Sequence, residues 1–269
     1  MTRRQLRPGF DRNLVVAPFG VMFRDRLDRQ VIADGLTVEL SELRRPERKQ
    51  RLDTNRHGVY VAHAVPRMRL PADFDTVSPP VIRRFNLDVS DTLARFVPLR
   101  VSVDLPGHGL FQPECLAASP SEHQPHVPLF SASTRSVPAG VGAVRADLRL
   151  DSDHDRPAAW ARLELWLGPA LLAEGVADER GGALLLSALP APRDPPLHGS
   201  PPDGAFERTS WEVTLRAYWD AAIGREPLPN LCTLRRLPEV PVIPDTFVLR
   251  SGTPLLARSA GSSFLFVGA

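Results

Sequence analysis

Two imidazoles three residues apart can chelate a divalent metal when further donors join them. His123 and His126 have that spacing, with Glu122 adjacent and His108 upstream. Pro125 stands between the pair and the flanking residues are those of a polar loop, so the stretch reads as a solvated His-rich loop, with His108, His123 and His126 as the metal candidates. Asp151-Ser152-Asp153-His154-Asp155 resembles the opening of a calcium loop, but Arg156 occupies the sixth position, where the turn needs glycine, and Arg162 the twelfth, where a bidentate glutamate is needed. It reads instead as a polar turn between strands. No G-x-S-x-G, phosphate loop or dinucleotide fingerprint occurs. No catalytic residue is assigned and no cofactor is expected. Cys115 and Cys232 are far apart and in no metal-binding spacing, so the expectation is two thiols, no disulfide framework, and a reducing, cytoplasmic setting.

A second group of residues could recognise a partner. Arg44, Arg45 and Arg48 belong to a charged stretch, Leu43 to Arg51, that holds five cations between Arg44 and Arg51 and reads as a hairpin loop. Glu42, Glu47 and Asp53 reduce its field and no aromatic residue is interleaved for base stacking, which points to an acidic protein surface rather than nucleic acid. On the strand after Trp160, the residues Trp160, Arg162, Glu164 and Trp166 alternate with Ala161, Leu163, Leu165 and Leu167. If the leucine face is core, Trp160, Arg162 and Trp166 face outward as anchors for a protein partner, unless a covering layer buries them. Phe264 and Phe266 lie on a terminal apolar stretch that could add to a neighbouring subunit's sheet edge.

These residues must be held by a scaffold, and the composition says which kind. With 28 prolines in 269 residues and 43% hydrophobic side chains, the chain favours many short elements around a substantial core. The formal net charge is only +2 and Lys49 is the sole lysine, so charge alone does not imply nucleic acid. Arg3 and Arg4 precede an apolar run from Leu14 to Phe23, but Asp11, Arg12, Pro18 and Gly20 interrupt it, and no stretch is long enough for a membrane span.

The strands read twice. Val21 to Arg24 is an apolar strand; Leu36, Val38 and Leu40 alternate with Thr37 and Glu39; Gly58 turns the chain into Val59 to Ala62; and Phe85, Leu87 and Val89 close the unit. The same order recurs at Ala146 to Arg149, Ala161 to Leu167, Leu184 to Leu186 and Trp211 to Leu215. Arg56, Gly58 and Pro66 match Arg180, Gly182 and Pro190 at one offset (190 − 66 = 124), and Thr37 to Leu40 match Arg162 to Leu165 at 125. The matches make an internal duplication the expectation. The stretch Pro190 to Gly204 reads as an exposed loop, and Phe247 to Leu249 with Leu255 to Ala257 as a hairpin.

Thr54, Gly58, Val59, Val61, Val65 and Pro66 in the first copy, and Asp178, Gly182, Leu184, Leu186, Leu189 and Pro190 in the second, resemble the transthyretin-like, carboxypeptidase-regulatory-like β-sandwich. The resemblance implies an all-β chain of two tandem sandwiches: residues 10–93, residues 96–222 with an insertion at 96–140, and a β-rich extension at 223–269. Enzymes of that family need groups missing here: no histidine has a glutamate three residues later for a peptidase zinc, only Tyr60 and Tyr218 could serve a dioxygenase iron, and the Y-R-G-S signature of the hydrolases does not occur. The resemblance implies fold more than function; with those groups missing, the expectation is a non-catalytic structural or adaptor subunit that binds other protein subunits of a larger assembly, with a homo-oligomer allowed for. A phage-tail-like or contractile-injection apparatus is one setting suggested by fold analogy. The alternatives are a carbohydrate- or peptide-binding module and a metal-dependent enzyme using the His-rich loop.

Overall fold

A computed structural model of the chain describes residues 17–65, 82–106, 109–116, 124–189 and 210–268. The described chain is all-β, with four sheets and little helix. The first half supplies β1 (Phe19–Asp25), β2 (Leu36–Glu42), β3 (Arg45–Arg51), β4 (Asp53–Thr54), β5 (Val59–Ala62), β6 (Arg83–Asp91), β7 (Leu99–Leu105) and β8 (Val127–Leu129). The second supplies β9 (Val141–Leu150), β10 (Asp153–Pro157), β11 (Arg162–Leu167), β12 (Ala170–Val176), β13 (Gly182–Ala188) and β14 (Ser210–Tyr218). A C-terminal segment follows, with a one-turn helix α1 (Leu231–Leu234) and the short strands β15 (Glu239–Val240), β16 (Val242–Ile243), β17 (Thr246–Arg250), β18 (Leu255–Ala257) and β19 (Leu265–Val267).

Alternation decides which faces are buried. Leu36, Val38 and Leu40 on β2, Leu99, Val101, Val103 and Leu105 on β7, and Trp211, Val213, Leu215 and Ala217 on β14 all point inward, each fully buried aliphatic side chain contributing about 1.5–3 kcal/mol. One hydrophobic cluster runs through both halves, from Phe19, Phe23 and Tyr60 to Leu163, Leu215 and Leu249.

The two halves share a pairing scheme. β1 pairs antiparallel with β5, as β9 does with β13. β2 lies between β3 and β6, as β11 lies between β12 and β14. Each of these ladders slips near its end, between Ser41 and Glu42 in one and between Leu165 and Trp166 in the other. The turns before β5 and β13 match hydrogen bond for hydrogen bond. Asn55 Oδ1 accepts from the amides of His57 and Val59, and Asp178 Oδ1 accepts from those of Arg180 and Gly182. The Gly58 amide donates to the Asn55 carbonyl, and the Gly181 amide to the Asp178 carbonyl.

The equivalent of Gly58 is thus Gly181 rather than Gly182. Their φ values of 75° and 87° lie in the left-handed region that glycine tolerates. A β-carbon on Gly181 would also run into the Leu148 carbonyl oxygen.

Three sequence expectations change here. The stretch Leu43 to Arg51 is not a loop, because Arg45–Arg51 pairs along β2 as an edge strand whose side chains project into solvent. Pro46 is tolerated because it falls in the bulge between Arg45 and Lys49, where the ladder with β2 skips. Asp153–Pro157 forms the short bulged strand β10, paired with β9 only at Asp153 and Pro157, instead of a bare turn. Within the 96–140 segment, β7 pairs with β6 along its whole length and β8 runs parallel to β1, so both bond to the first half. Pro66, Pro190 and the stretch Pro190 to Gly204 lie outside the described residues, as do the N-terminal arginines.

Candidate interaction site

Strand pairing sets Glu164 of β11 directly opposite Glu174 of β12. Like charges in that position repel, Glu174 is cut off from water and Glu164 nearly so, and cations must be supplied. Arg162, two residues before Glu164 on the same face, places one guanidinium nitrogen on both carboxylates: on Glu164 Oε1, and on Glu174 Oε1 at 3.3 Å. Arg235, just after α1, binds Glu174 in a fork, Nη1 to Oε1 at 2.8 Å and Nη2 to Oε2 at 3.1 Å. Arg26, just after β1, closes the set with Nε at 3.2 Å from Oε2. The Glu174 carboxylate is completely enclosed, at 0% side-chain exposure. Glu164 Oε2 also accepts from the Tyr218 hydroxyl at 2.9 Å and the Trp166 indole at 3.0 Å, while the Arg162 guanidinium lies 3.8 Å over the Tyr218 ring.

The C-terminal segment is the lid of this cluster. Asn230 caps α1 by accepting from the amides of Cys232 and Thr233. Arg162 Nε donates to the Leu234 carbonyl at the other end of the turn. Two indoles fasten the segment's start: Trp160 donates to the Glu226 carbonyl and Trp219 to the Ala159 carbonyl. Trp160 holds φ at 61°, an uncommon conformation for a bulky residue, and is kept there by burial and by the indole bond.

The segment also reaches the first half. Asn230 donates to Ser102 Oγ, the Arg100 amide donates to the Pro229 carbonyl, and Cys232 is joined to Cys115 by a disulfide with 5.4 Å between Cα atoms. The expectation of two thiols is therefore corrected: tertiary folding brings together cysteines that are 117 residues apart. A polar groove of about 480 Å³ adjoins the bond, lined by Phe19, Phe111, Asp104, Arg84 and Arg236.

The partner-facing residues divide. Trp160 and Arg162 are buried at 3% and 6% exposure, so the covering layer holds for them, while Trp166 is half-buried with Arg216 over its ring. Phe264 and Phe266 are half-buried under Arg149 and against His154 respectively. Arg44 and Arg48 are exposed and Arg45 half-exposed, on or beside β3. A groove of about 590 Å³ at the start of that strand is lined by Leu43, Arg44, Arg45, Ile82 and Arg83, with Leu43 and Ile82 themselves exposed. His126 is described and its ring nitrogen meets the Gln124 carbonyl, whereas His108 and His123 lie outside the described residues. Among the described residues no group of three metal-binding side chains gathers, and no helix is long and apolar enough to cross a membrane.

Glu174, Arg26 and Arg235 escaped the sequence reading. The signal for Glu174 was a glutamate within the apolar run Leu171 to Val176, which is costly unless paired.

No family model and no curated protein matches the chain. Among solved structures it is similar to the Bacillus anthracis TIE protein at 9% identity and a TM-score of 0.26, over 93% of this chain. The chain spans about a third of that one, 34%, and the likeness carries no argument.

Burial pushes the Glu164 carboxyl up, but hydrogen bonds from Arg162, Tyr218 and Trp166 outweigh it and hold the group below its ordinary 4.5. Burial first, and then the bond to Glu164, push the Tyr218 hydroxyl above its ordinary 10.0. The lowered carboxyl stabilises the fold above the unfolded value and loses that contribution as pH falls through its folded value; the raised phenol stabilises below pH 10 and loses it as pH rises through its folded value. Denaturant midpoints across pH should show Glu164→Gln shrinking the acid limb and Tyr218→Phe the alkaline limb relative to the parent chain. Thiol titration of the unfolded, unreduced chain should find no reactive sulfur, and Cys115→Ser with Cys232→Ser should cost about 2–5 kcal/mol in chemical denaturation.

Proposed function

We propose that the chain is a non-catalytic docking subunit, a rigid scaffold of two tandem transthyretin-like sandwiches that binds acidic protein surfaces within a larger assembly. The shared pairing scheme and the matching Asn55 and Asp178 turns support the duplication on which the two-sandwich reading rests. The observation that carries the docking role is the contrast between equivalent strands. β12, in the second half, is uncharged except for the enclosed Glu174, and its C-terminal part is buried. β3, in the first half, is an exposed cationic edge. Lys49 is paired with Glu39 at 2.8 Å, and no ion pair among the described residues engages Arg44, Arg48 or Arg51.

A surface with unpaired cations, an apolar flank at Leu43 and Ile82, and open backbone suits a partner that supplies carboxylates. The paired carboxylates of Glu164 and Glu174 support a load-holding role for the buried cluster, since each already accepts from arginine. The Cys115–Cys232 bond favours a particle that meets an oxidising medium after assembly.

The test is co-purification from the native source in fixed stoichiometry, with Arg44→Glu and Arg48→Glu combined losing the partner while the fold is retained. Recovery of the native chain only as a free monomer, or unchanged capture by the charge-reversed chain, contradicts the reading.

A further inference from the structure

Where the first-half sheet ends at β7, its outer edge is only partly used. β6 and β7 pair in continuous register from Val89 with Leu99 to Arg83 with Leu105, without a bulge. The Arg100 amide points away from β6, since it donates to the Pro229 carbonyl, and Arg100 forms a parallel bridge with Asn230. Backbone groups two residues apart on a regular strand point the same way, so the amides and carbonyls of Ser102 and Asp104 face that outer edge too. Among the described residues no hydrogen bond is made to them. The side chains are engaged elsewhere and leave this backbone free: Ser102 Oγ accepts from Asn230, and Arg84 forks the Asp104 carboxylate at 2.9 and 2.8 Å.

The chain fills the neighbouring strand position only at Asn230 and then turns into α1. Beyond that point lies the groove of about 480 Å³, lined by Ser102, Asp104 and Leu105 of β7. At about 3.3 Å per residue this stretch of β7 spans roughly 10 Å, room for about three extended residues. Leu110 and Phe111, both half-buried, line the groove with Phe19, whose ring lies 5.6 Å from that of Phe111. Exposed Glu114 and Arg236 line it as well, and neither is in an ion pair among the described residues. The Cys115–Cys232 bond ties the segment carrying Leu110 and Phe111 to α1, so the walls are held before a ligand arrives, which lowers the cost of binding.

Main-chain donors and acceptors repeated along a strand edge match the main chain of another strand, so the ligand they recognise is polypeptide. A strand laid there points its side chains alternately to opposite faces. We propose that the groove is a peptide-binding site: an extended segment of a partner protein adds to β7 at Ser102 and Asp104, with an apolar side chain against Leu110 and Phe111 and flanking charges of both signs against Arg236 and Glu114. The site lies at the opposite edge of the sheet from β3 and is independent of the docking surface described above.

Panning a random seven-residue peptide library displayed on phage against the purified, disulfide-intact chain tests it, followed by amide hydrogen exchange read by nuclear magnetic resonance. In the free chain the Val101 and Val103 amides, which face β6, should exchange about tenfold or more slower than those of Ser102 and Asp104. Selected peptides should share an apolar residue flanked by charged ones and should slow the Ser102 and Asp104 amides by about tenfold or more. Ser102→Pro removes an outward amide without touching the ladder and should weaken their binding about tenfold. Arg236→Glu, at an exposed position that folding does not depend on, should weaken it about fivefold. Ser102 and Asp104 amides already protected in the free chain overturn the proposal. So does a library that yields no binder, selected peptides that leave both amides exchanging as before, or unchanged binding to Arg236→Glu and to folded Ser102→Pro. Peptide capture can fail while the cationic edge β3 still holds its partner, so the two readings are separately decided.

Discussion

A carboxylate removed from water must be neutralised where it stands, and Glu174 is neutralised by residues from three distant parts of the chain. Arg26 leaves β1 of the first half, Arg162 lies on the neighbouring strand of the second, and Arg235 follows α1 in the C-terminal segment. Removing one partner of a buried pair leaves an uncompensated charge, which costs about 3–5 kcal/mol, far more than the pair contributes over an apolar substitute. The cluster therefore acts as a constraint on relative position: only an arrangement that brings all three segments together can bury Glu174. Other contacts follow the same lines, including Arg135 on Asp25, Ser133 on Asp178, Arg145 on the Ser133 and Arg135 carbonyls, and the bond between Cys115 and Cys232.

The two halves share a pairing scheme but differ in what covers it. Glu39 on β2 holds the place that Glu164 holds on β11, each on a middle strand of its sheet and facing its pairing partner on the edge strand. In the first half that face is more open: Glu39 with Lys49 and Asp104 with Arg84 are ion pairs partly in solvent, where such pairs add little to stability, and Asp88 with Arg100 is the one largely buried. In the second half the C-terminal segment covers the equivalent face. Burial there converts a surface charge pattern into a tightly specified cluster of arginine, glutamate, tyrosine and tryptophan. One half is thus committed to holding the molecule together, and the other keeps its charged edge free.

Much of this architecture was legible in the residues. Leu36, Val38 and Leu40 declare their strand by period two, and Gly58 declares its turn because few other residues accept a positive φ. What stayed hidden has physical causes. Two adjacent glycines, Gly181 and Gly182, both satisfy the motif, and only the backbone shows that Gly181 makes the left-handed turn. Arg45–Arg51 looks like a loop because an edge strand with both faces wet needs no apolar alternation. Trp160 and Arg162 look like an outward face because the layer that covers them arrives some seventy residues later in the chain, a distance that periodicity cannot sense. The cysteine pairing is equally non-local.

The central claim is that Glu174 couples both halves and the C-terminal segment into one cooperative unit, and the distribution of tryptophan makes it measurable. All four tryptophans, Trp160, Trp166, Trp211 and Trp219, lie in the second half, so their fluorescence follows that half while far-ultraviolet circular dichroism follows the whole chain. Denaturant unfolding recorded by both signals should give coincident curves for the parent chain and, for Glu174→Gln, separated curves with a stability loss of about 3–5 kcal/mol. Coincident curves for Glu174→Gln, displaced by less than about 0.5 kcal/mol from the parent as for an ordinary surface substitution, would contradict it.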